Sequence, residues 1–282
     1  MQCRAKAPAK VNLSLHVVGR RTDGYHLLDS LVAFASIGDE VTVRFAPGLS
    51  LATEGPNASA VPTDGSNLVL RAANLMSETN ANRQGAALTL TKNLPAASGI
   101  GGGSSDAAST LSALSRLWDT PLPAPEEILA LGADVPVCLR RRVTRMGGIG
   151  DLLDNVPALP KVWAVLANAG GGVSTPEVFA RLERRDGAPM PTEIPKFQSA
   201  PELAEWLKTT RNDLERPALS IEPGIGDVLS ALRASSGALL ARMSGSGGTC
   251  FALFARAENA KQARQDLSNN HPGWWVEDCS LT

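Results

Sequence analysis

The chain has 282 residues, 43% of them hydrophobic, and its 27 basic and 28 acidic residues give a formal net charge of -1. That length suggests two domains or one large elaborated domain, and the near-neutral charge argues against binding to nucleic acid or to an anionic membrane. With four scattered cysteines, no apolar run near the roughly 20 residues of a membrane span and no signal-peptide pattern, we expect a soluble cytoplasmic protein with reduced thiols and no membrane partner.

The first predicted element is a strand that carries polar side chains on one face. Residues 7–17 alternate small or polar with apolar side chains, which puts Lys10 and Asn12 on the same face. A lysine in such a strand can discourage aggregation at a sheet edge, and beside Asn12 it could instead line a polar cavity. A turn signal follows, and the only tyrosine of the chain, Tyr25, comes directly after it with His26. Taken alone, these two rings could serve packing or recognition.

Strands and helices are mixed over the next stretch of the chain. A turn at Gly38-Asp39 is predicted to precede a strand over residues 41–45, and helical spacing of apolar residues predicts a helix over 67–76. Leucines alternate with threonines over residues 86–92, which predicts another strand, and Pro95 prevents that strand from continuing.

A glycine-rich segment, Gly-Ile-Gly-Gly-Gly-Ser-Ser-Asp over residues 99–106, follows this strand and precedes helical spacing of apolar residues over 107–117. Ser104, Ser105 and Asp106 offer side-chain oxygens where a helix start needs them. Glycines let backbone N–H groups approach an anion closely, and the first helical turn adds unpaired donors and a partial positive charge. The segment therefore predicts a binding loop for a polyphosphate, with a merely flexible connection as the alternative.

Two better-known phosphate loops do not fit this segment. The GxxxxGK[ST] pattern requires a lysine, and none lies between Gly99 and Ser105. The dinucleotide fingerprint could use Gly99 and Gly101, but Ser104 stands where its third glycine should be. A fold other than these two therefore uses the loop.

Asp134 places one carboxylate within the otherwise apolar residues 132–137. Burial of a carboxylate without a partner would be costly. We therefore expect Asp134 to pair with a cation or to take part in chemistry.

The second half of the chain begins with a break in regular structure. Prolines interrupt residues 156–160, and an apolar run over 162–166 then predicts a new strand, so we place the domain boundary there, giving domains 1–158 and 159–282. A helix is predicted over residues 201–207.

A second glycine cluster, residues 244–249, lies between the apolar stretches 238–241 and 250–254 and predicts a turn between two strands. Its N–H groups and hydroxyls could face the first loop and help to wrap the same phosphates. A simple hairpin turn is the alternative.

In this order the segments resemble the GHMP kinases. The three motifs of that family are similar to residues 7–15, 95–108 and 243–251, and additional similarity to members that act on a CDP-linked methylerythritol lies at residues 24–28, 132–136 and 212–215. The resemblance implies an α+β, two-lobed GHMP kinase fold, with a cleft between an N-terminal nucleotide-binding domain and a C-terminal substrate-side domain.

The resemblance also implies a reaction. ATP would phosphorylate the 2-hydroxyl of the CDP-linked methylerythritol, in the non-mevalonate route to isoprenoid precursors, with Asp134 as general base and Lys10 as its charge partner. Mg²⁺ would bridge phosphate oxygens, with the hydroxyl of Ser104 or Ser105 as its protein contact. The residues expected around the triphosphate are Pro95, Gly99, Gly101, Gly102, Gly103, Ser104 and Ser105, with Gly245, Ser246, Gly247 and Gly248 in the second glycine loop.

For the cytidine end, the resemblance implies that Tyr25 stacks on the base, that His26 bonds to its edge and that Phe179 closes the other face. Tyr25 is thus interpreted as a ligand platform rather than a core residue. Asn12 would contact the sugar alcohol or the diphosphate, and Thr175 would share the helical face of Phe179. The expected partners are this substrate and ATP, without nucleic acid, and the expected assembly is a monomer or weak homodimer.

One departure from the family pattern bears on local structure. The family commonly has a glycine at the second position of Arg140-Arg141-Arg142, so a different turn, a phosphate-facing rim or plain surface charge would each be compatible. Alternatives for the function are another acceptor (mevalonate, homoserine or galactose), a related decarboxylase, or a catalytically silent nucleotide sensor.

Overall fold

The computed structural model describes residues 1–79 and 85–282. Contacts between α-carbons divide the chain into two compact units, each made of several segments: unit 1 comprises residues 1–10, 37–96 and 101–141, and unit 2 comprises residues 11–36, 97–100 and 142–282. The predicted boundary between residues 158 and 159 stays a prediction.

Helices and strands are interspersed along the described residues, which confirms the α+β class. The strands are β1 (Gln2–Arg20), β2 (His26–Ala46), β3 (Ser50–Glu54), β4 (Gly85–Thr91), β5 (Thr144–Gly148), β6 (Leu152–Asn155), β7 (Val162–Asn168), β8 (Ala238–Met243), β9 (Thr249–Phe254) and β10 (Trp275–Leu281). The helices are α1 (Leu68–Thr79), α2 (Gly102–Trp118), α3 (Pro125–Leu131), α4 (Val135–Arg140), α5 (Thr175–Ala180), α6 (Ala200–Lys208), α7 (Glu215–Ile221), α8 (Gly224–Ala234) and α9 (Ala257–Asn270), with a short 3-10 turn at Ala58–Ala60.

In unit 1, β4 lies between β3, which is parallel to it, and the second half of β2, which is antiparallel to it. The alternation of leucines with threonines in β4 buries Leu88 and Leu90 on one face. Helices α1 and α2 pack against each other. Leu111 and Leu114 in α2 are fully buried, as their helical spacing predicts.

In unit 2, four antiparallel strands follow the order β10, β7, β9, β8. All six residues of β9 are buried, so this strand reads as a continuous apolar run rather than an alternation. Helices α8 and α9 pack against this sheet and contribute Val228, Leu232 and Leu267 to one apolar core. The first half of β2 pairs with β5, and β5 pairs with β6.

Most predicted elements are confirmed within a few residues. The segments 67–76, 86–92, 162–166, 201–207 and 250–254 correspond to α1, β4, β7, α6 and β9. Each of these has a local signal, either a hydrophobic period or a flanking proline or glycine, that agrees with its final environment.

The predicted turn at Gly38-Asp39 is wrong, because β2 runs without a break through both residues. β1 passes so close to Gly38 that a Cβ there would clash with the carbonyl oxygen of Ala7. Asp39 is buried, and its Oδ1 accepts the N–H groups of Asn93 and Leu94 at 2.6 and 2.8 Å. The Gly-Asp pair is typical of a turn, but here the glycine is needed for the close approach of β1 and the aspartate is a buried hydrogen-bond acceptor.

The predicted capping role of Ser104, Ser105 and Asp106 is also wrong. Helix α2 begins earlier, at Gly102, with Gly101 in the left-handed conformation as its N-terminal cap and no side-chain cap. The three residues lie inside the helix, where Ser105 and Asp106 are buried. The helix start is therefore built from glycine backbone alone.

All four cysteines carry free thiols, and burial raises the pKa of Cys138, Cys250 and Cys279, so these three stay protonated near neutral pH. Among the helices in the described ranges, none has both the length and the apolar character that a bilayer crossing requires.

Candidate active site

Two glycine-rich turns supply the backbone of the candidate site. We call residues 97–103 the first glycine turn and residues 244–248 the second glycine turn. In the first, Ala97, Gly99 and Gly101 have positive φ values of 48°, 73° and 63°. A Cβ on Gly101 would lie 3.1 Å from the Cβ and Cε atoms of Lys10, so a glycine there lets the turn rest on the lysine stem. The turn leads directly into α2, whose first N–H groups have no partner within the helix.

The second glycine turn contacts Gly99 backbone to backbone. A Cβ on Gly99 would lie 2.6 Å from the carbonyl oxygens of both Ser244 and Gly247, and one on Gly245 would lie 2.5 Å from that of Gly99. Thr249 donates its N–H to the Ser98 carbonyl oxygen at 3.0 Å. The turn is a hairpin connection between β8 and β9 and, at the same time, a neighbour of the first glycine turn.

Lys10 and Asp134 form an ion pair in unit 1, with 2.8 Å between Nζ and Oδ2. The side chain of Lys10, in β1, is 4% exposed, whereas that of Asp134, just before α4, is 33% exposed. The near-complete burial of Lys10 contradicts a role at a solvent-facing edge. The cation expected beside Asp134 is therefore Lys10, and the carboxylate remains accessible on one side.

A second buried charge cluster lies beneath the start of α2 and was not predicted. Lys92 Nζ contacts the carboxylates of both Asp39 and Asp106, and a Cβ on Gly102 would lie 3.1 Å from the same nitrogen. Burial would lower the pKa of Lys92, but the two carboxylates raise it. Burial raises the pKa of Asp106 to about 7, against the opposing effect of Lys92. The signal that singled out Lys10, a lysine within a predicted strand, also applies to Lys92, the last residue of the strand predicted over residues 86–92.

At the predicted cytidine end, the structure brings His26 and Phe179 together. Their rings are stacked with centroids 4.7 Å apart and planes 20° apart. Burial, with help from Arg20 and Arg185, lowers the pKa of His26, so the ring is neutral near pH 7. Its Nε2 is buried without a hydrogen-bond partner among the described residues. Tyr25 is 61% exposed, so the core alternative for this residue is wrong, and its platform role stays a prediction.

Asn12 and Thr175 also lie in unit 2. Asn12 Nδ2 donates to Ser30 Oγ at 2.8 Å, while its buried Oδ1 accepts nothing within the described part of the chain. The hydroxyls of Thr175 and Ser246 are 2.7 Å apart, which joins the start of α5 to the second glycine turn. The unpaired Oδ1 of Asn12 is an acceptor that a ligand hydroxyl could satisfy.

The two serines predicted as Mg²⁺ contacts differ in their surroundings. Ser105 is fully buried and donates its hydroxyl to the Pro8 carbonyl oxygen at 2.8 Å. Ser104 is half-buried, and its hydroxyl makes no hydrogen bond within residues 1–79 and 85–282. Ser104 is therefore the better fit to a metal that takes few protein ligands beside phosphate oxygens.

The structure gives the conformation of Arg141, the second residue of the arginine run. It ends α4 in the left-handed conformation with a φ of 50°, and its Nη2 donates to Ser109 Oγ in α2 at 2.9 Å. Arg142 donates to Asn155 Oδ1 at 2.8 Å. Arg141 therefore lies at a position that suits glycine, in a conformation that non-glycine residues adopt only at a cost.

We expect an Arg141→Gly variant to be more stable than an Arg141→Ala variant by about 1 kcal/mol. Both substitutions remove the guanidinium and its bond to Ser109, but only alanine keeps the side-chain clash of a left-handed residue. Urea unfolding of the two variants measures the difference. Equal stabilities would mean that residue 141 leaves the left-handed conformation.

Comparison with known proteins agrees with this geometry. The profile of the GHMP kinases N terminal domain matches residues 67–152, and that of the GHMP kinases C terminal matches residues 194–273. The chain is 55% identical over 273 residues to a 4-diphosphocytidyl-2-C-methyl-D-erythritol kinase of Cereibacter sphaeroides, covering 96% of both chains. It is 54% identical to the enzyme of that name from Paracoccus denitrificans, covering 99% of this chain and 96% of the relative.

A solved structure is similar as well. The crystal structure of a 4-(cytidine 5'-diphospho)-2C-methyl-D-erythritol kinase superposes with a TM-score of 0.79 at 34% identity, covering 99% of this chain and 98% of the other. Similarity therefore extends over nearly the whole length in both sequence and fold.

Proposed function

Because this chain belongs to the 4-diphosphocytidyl-2-C-methyl-D-erythritol kinase family of the GHMP kinases, and is an ATP-dependent small-molecule kinase, we propose that it phosphorylates the 2-hydroxyl of 4-diphosphocytidyl-2-C-methyl-D-erythritol. This places it in the non-mevalonate route to isoprenoid precursors. The proposal keeps the predicted cytoplasmic location and an assembly no larger than a weak homodimer.

The observation that carries the proposal is the ion pair of Lys10 and Asp134. Asp134 accepts the proton of the substrate 2-hydroxyl while that oxygen forms its bond to the γ-phosphorus of ATP. The bond from the γ-phosphorus to the bridging oxygen breaks, and ADP leaves. Lys10, whose Nζ lies 2.8 Å from Asp134 Oδ2, offsets negative charge as the phosphoryl group moves.

The two glycine turns and the start of α2 hold the triphosphate of ATP. Glycines at 99, 101, 102 and 103 leave backbone N–H groups open to phosphate oxygens, and α2, with 17 residues, adds the partial positive charge of its N-terminus. Ser104 would be the protein contact for Mg²⁺, which when bound would neutralise charge on the phosphates. The residues themselves mainly position the phosphates, and positioning supplies most of the catalysis in phosphoryl transfer.

Aromatic and polar groups of unit 2 bind the rest of the substrate. Tyr25 and Phe179 flank the cytosine ring, and the unpaired Nε2 of His26 bonds to its edge. Asn12 Oδ1 accepts a hydroxyl of the sugar alcohol, and Thr175 supports the site through Ser246. Asn12 Oδ1 and His26 Nε2 each need a partner that the bound substrate can supply.

The proposed function is tested by turnover with competing acceptors. Purified protein is incubated with ATP, Mg²⁺ and 4-diphosphocytidyl-2-C-methyl-D-erythritol, and ADP release is compared with that for mevalonate, homoserine and galactose. Turnover of the CDP-linked alcohol alone supports the proposal. Turnover of another acceptor would keep the kinase chemistry and overturn the cytidine site, and silence with all four would favour a nucleotide sensor.

We expect a Tyr25→Ala variant to raise KM for the CDP-linked substrate by about 10- to 100-fold, since stacking on an aromatic ring contributes about 1–3 kcal/mol per base. KM for ATP should stay within about two-fold, because the phosphate contacts assigned above do not include Tyr25. Initial-rate kinetics with each substrate varied in turn measure both constants.

Tyr25→Phe serves as the matched control, since it keeps the ring and removes only the hydroxyl. The side chain is exposed, so neither substitution should affect folding. An equal rise in both KM values for Tyr25→Ala would count against the stacking role.

A further inference from the structure

Residues 212–215 hold the second glycine turn from two sides. Asn212 Nδ2 donates to the carbonyl oxygens of Met243 and Gly245 at 2.8 and 2.9 Å. Glu215 Oε2 accepts the N–H of Met243 at 3.2 Å. The backbone is thus held immediately before and after Ser244.

Ser244, between these two anchors, links two other parts of the candidate site in unit 2. Its Oγ accepts the N–H of Asn12 at 3.1 Å and donates to the carbonyl oxygen of Gly99 at 3.2 Å. One hydroxyl therefore joins β1, beside the predicted substrate contact, to the first glycine turn. Its position depends on the backbone that Asn212 holds.

Asn212 is itself held rigidly. It is 8% exposed, its Oδ1 accepts the N–H of Leu214 at 2.9 Å, and its neighbours Arg211 and Asp213 form backbone hydrogen bonds with Leu15 of β1, both 2.8 Å long. Both N–H groups of the side-chain amide donate hydrogen bonds to carbonyl oxygens. A carboxylate of the same shape offers only acceptors and would repel both carbonyls, so the site requires an amide.

Displacement of the turn would reach the first glycine turn directly. The clearance between Gly99 and residues 244–247 is too small for even one added carbon atom. Backbone packed this closely transmits a shift instead of absorbing it. A change at residue 212 should therefore alter the positions of Gly99 and Asn12.

Resting on the proposed function, we infer that Asn212 is a positioning residue for the kinase reaction. It holds the second glycine turn in place, so that Ser244 keeps Gly99 and Asn12 correctly placed to bind ATP and the CDP-linked substrate. Glu215 supports it from the other side of Met243. The role acts through the turn and involves no contact of Asn212 with either ligand.

The test uses an Asn212→Asp variant of the full chain. KM for ATP and KM for the CDP-linked substrate should each rise about ten-fold or more, because misplaced groups bind both ligands less well. A Leu267→Ala variant is the matched control, since Leu267 is a buried residue of the unit 2 core in α9. It should lose stability while both KM values stay at the wild-type level.

Two readouts do not depend on turnover. Hydrogen exchange at the Asn12 amide, which donates to Ser244 Oγ, should become faster in Asn212→Asp than its change in stability explains, whereas in Leu267→Ala any increase should be no larger than the loss of stability explains. Calorimetric titration with a non-hydrolysable ATP analogue should show about ten-fold weaker binding in Asn212→Asp. If the wild-type protein turns over no acceptor, the proposed function fails, while these two measurements still decide the role of Asn212.

Loss of active protein with unchanged KM values and unchanged analogue affinity would overturn the inference, since a purely structural residue behaves in that way. Unchanged exchange at Asn12 would also overturn it. Should Asn212→Asp not fold, Asn212→Ala removes both donors without adding a charge, and the same outcomes apply to it.

Discussion

An Asp134→Asn variant is expected to lose about a thousand-fold in kcat, within the range of about 10²–10⁴ that general-base catalysis contributes. The amide has nearly the same shape as the carboxylate but cannot take the proton of the attacking hydroxyl. It also leaves the buried ammonium of Lys10 without its counter-charge. Steady-state kinetics at saturating ATP and CDP-linked substrate measure the loss.

Binding distinguishes a lost base from a damaged site. Calorimetric titration of the variant with each ligand should give affinities within a few-fold of wild type, since the phosphates and the cytidine are bound by other groups. Asp266→Asn is the control, since it replaces an exposed carboxylate on α9 by a carboxamide, and it should retain full activity. Near-wild-type turnover of Asp134→Asn, with both ligands bound, would show that the base has been assigned to the wrong residue.

A Gly99→Ala variant is expected to lower kcat/KM for ATP by about a hundred-fold, a typical effect of a 1 Å misplacement in an active site. The new Cβ would lie 2.6 Å from two carbonyl oxygens of the second glycine turn, and the residue has a φ of 73°. Neither turn can move aside without changing its own positive φ angles. We also expect a stability loss of about 1–3 kcal/mol.

Gly273→Ala is the matched control for this substitution. Its Cβ would have no heavy atom within 4 Å, and its φ lies outside the left-handed region. Kinetics and urea unfolding of both variants, measured well below their melting temperatures, separate misplacement from unfolding. A Gly99→Ala enzyme with wild-type kcat/KM would mean that the contact between the two turns plays no part in ATP binding.

The order of strand, glycines and helix around the first glycine turn could be predicted because each part has a local signal. The alternation in β4, the glycines and the helical spacing in α2 lie within about 30 residues and agree with one another. The contact between the two glycine turns joins residues about 145 positions apart, and no periodicity reports such a distance. From the sequence, a second turn that faces the first loop and a simple hairpin turn were both open.

Charged residues were predicted less well than apolar ones. Asp39 favours a turn by its local preference, and Asp106 favours a helix cap, but Lys92, directly after β4, pairs with both in a buried cluster. Tertiary pairing outweighs local preference wherever a buried charge would otherwise remain unpaired. The pairing of Lys10 with Asp134 was expected because the resemblance supplied long-range information that residue patterns lack.

The cluster of Lys92, Asp39 and Asp106 also constrains how this enzyme can change over evolutionary time. Loss of Lys92 as a first step would leave two adjacent buried carboxylates with no counter-ion, at a severe cost. Replacement of Asp106 by asparagine first would leave a balanced one-to-one pair of Lys92 and Asp39. Loss of Lys92 is therefore costly while either carboxylate remains and is less costly after Asp106 has been replaced, so the order of substitutions in a lineage decides which of them are tolerated.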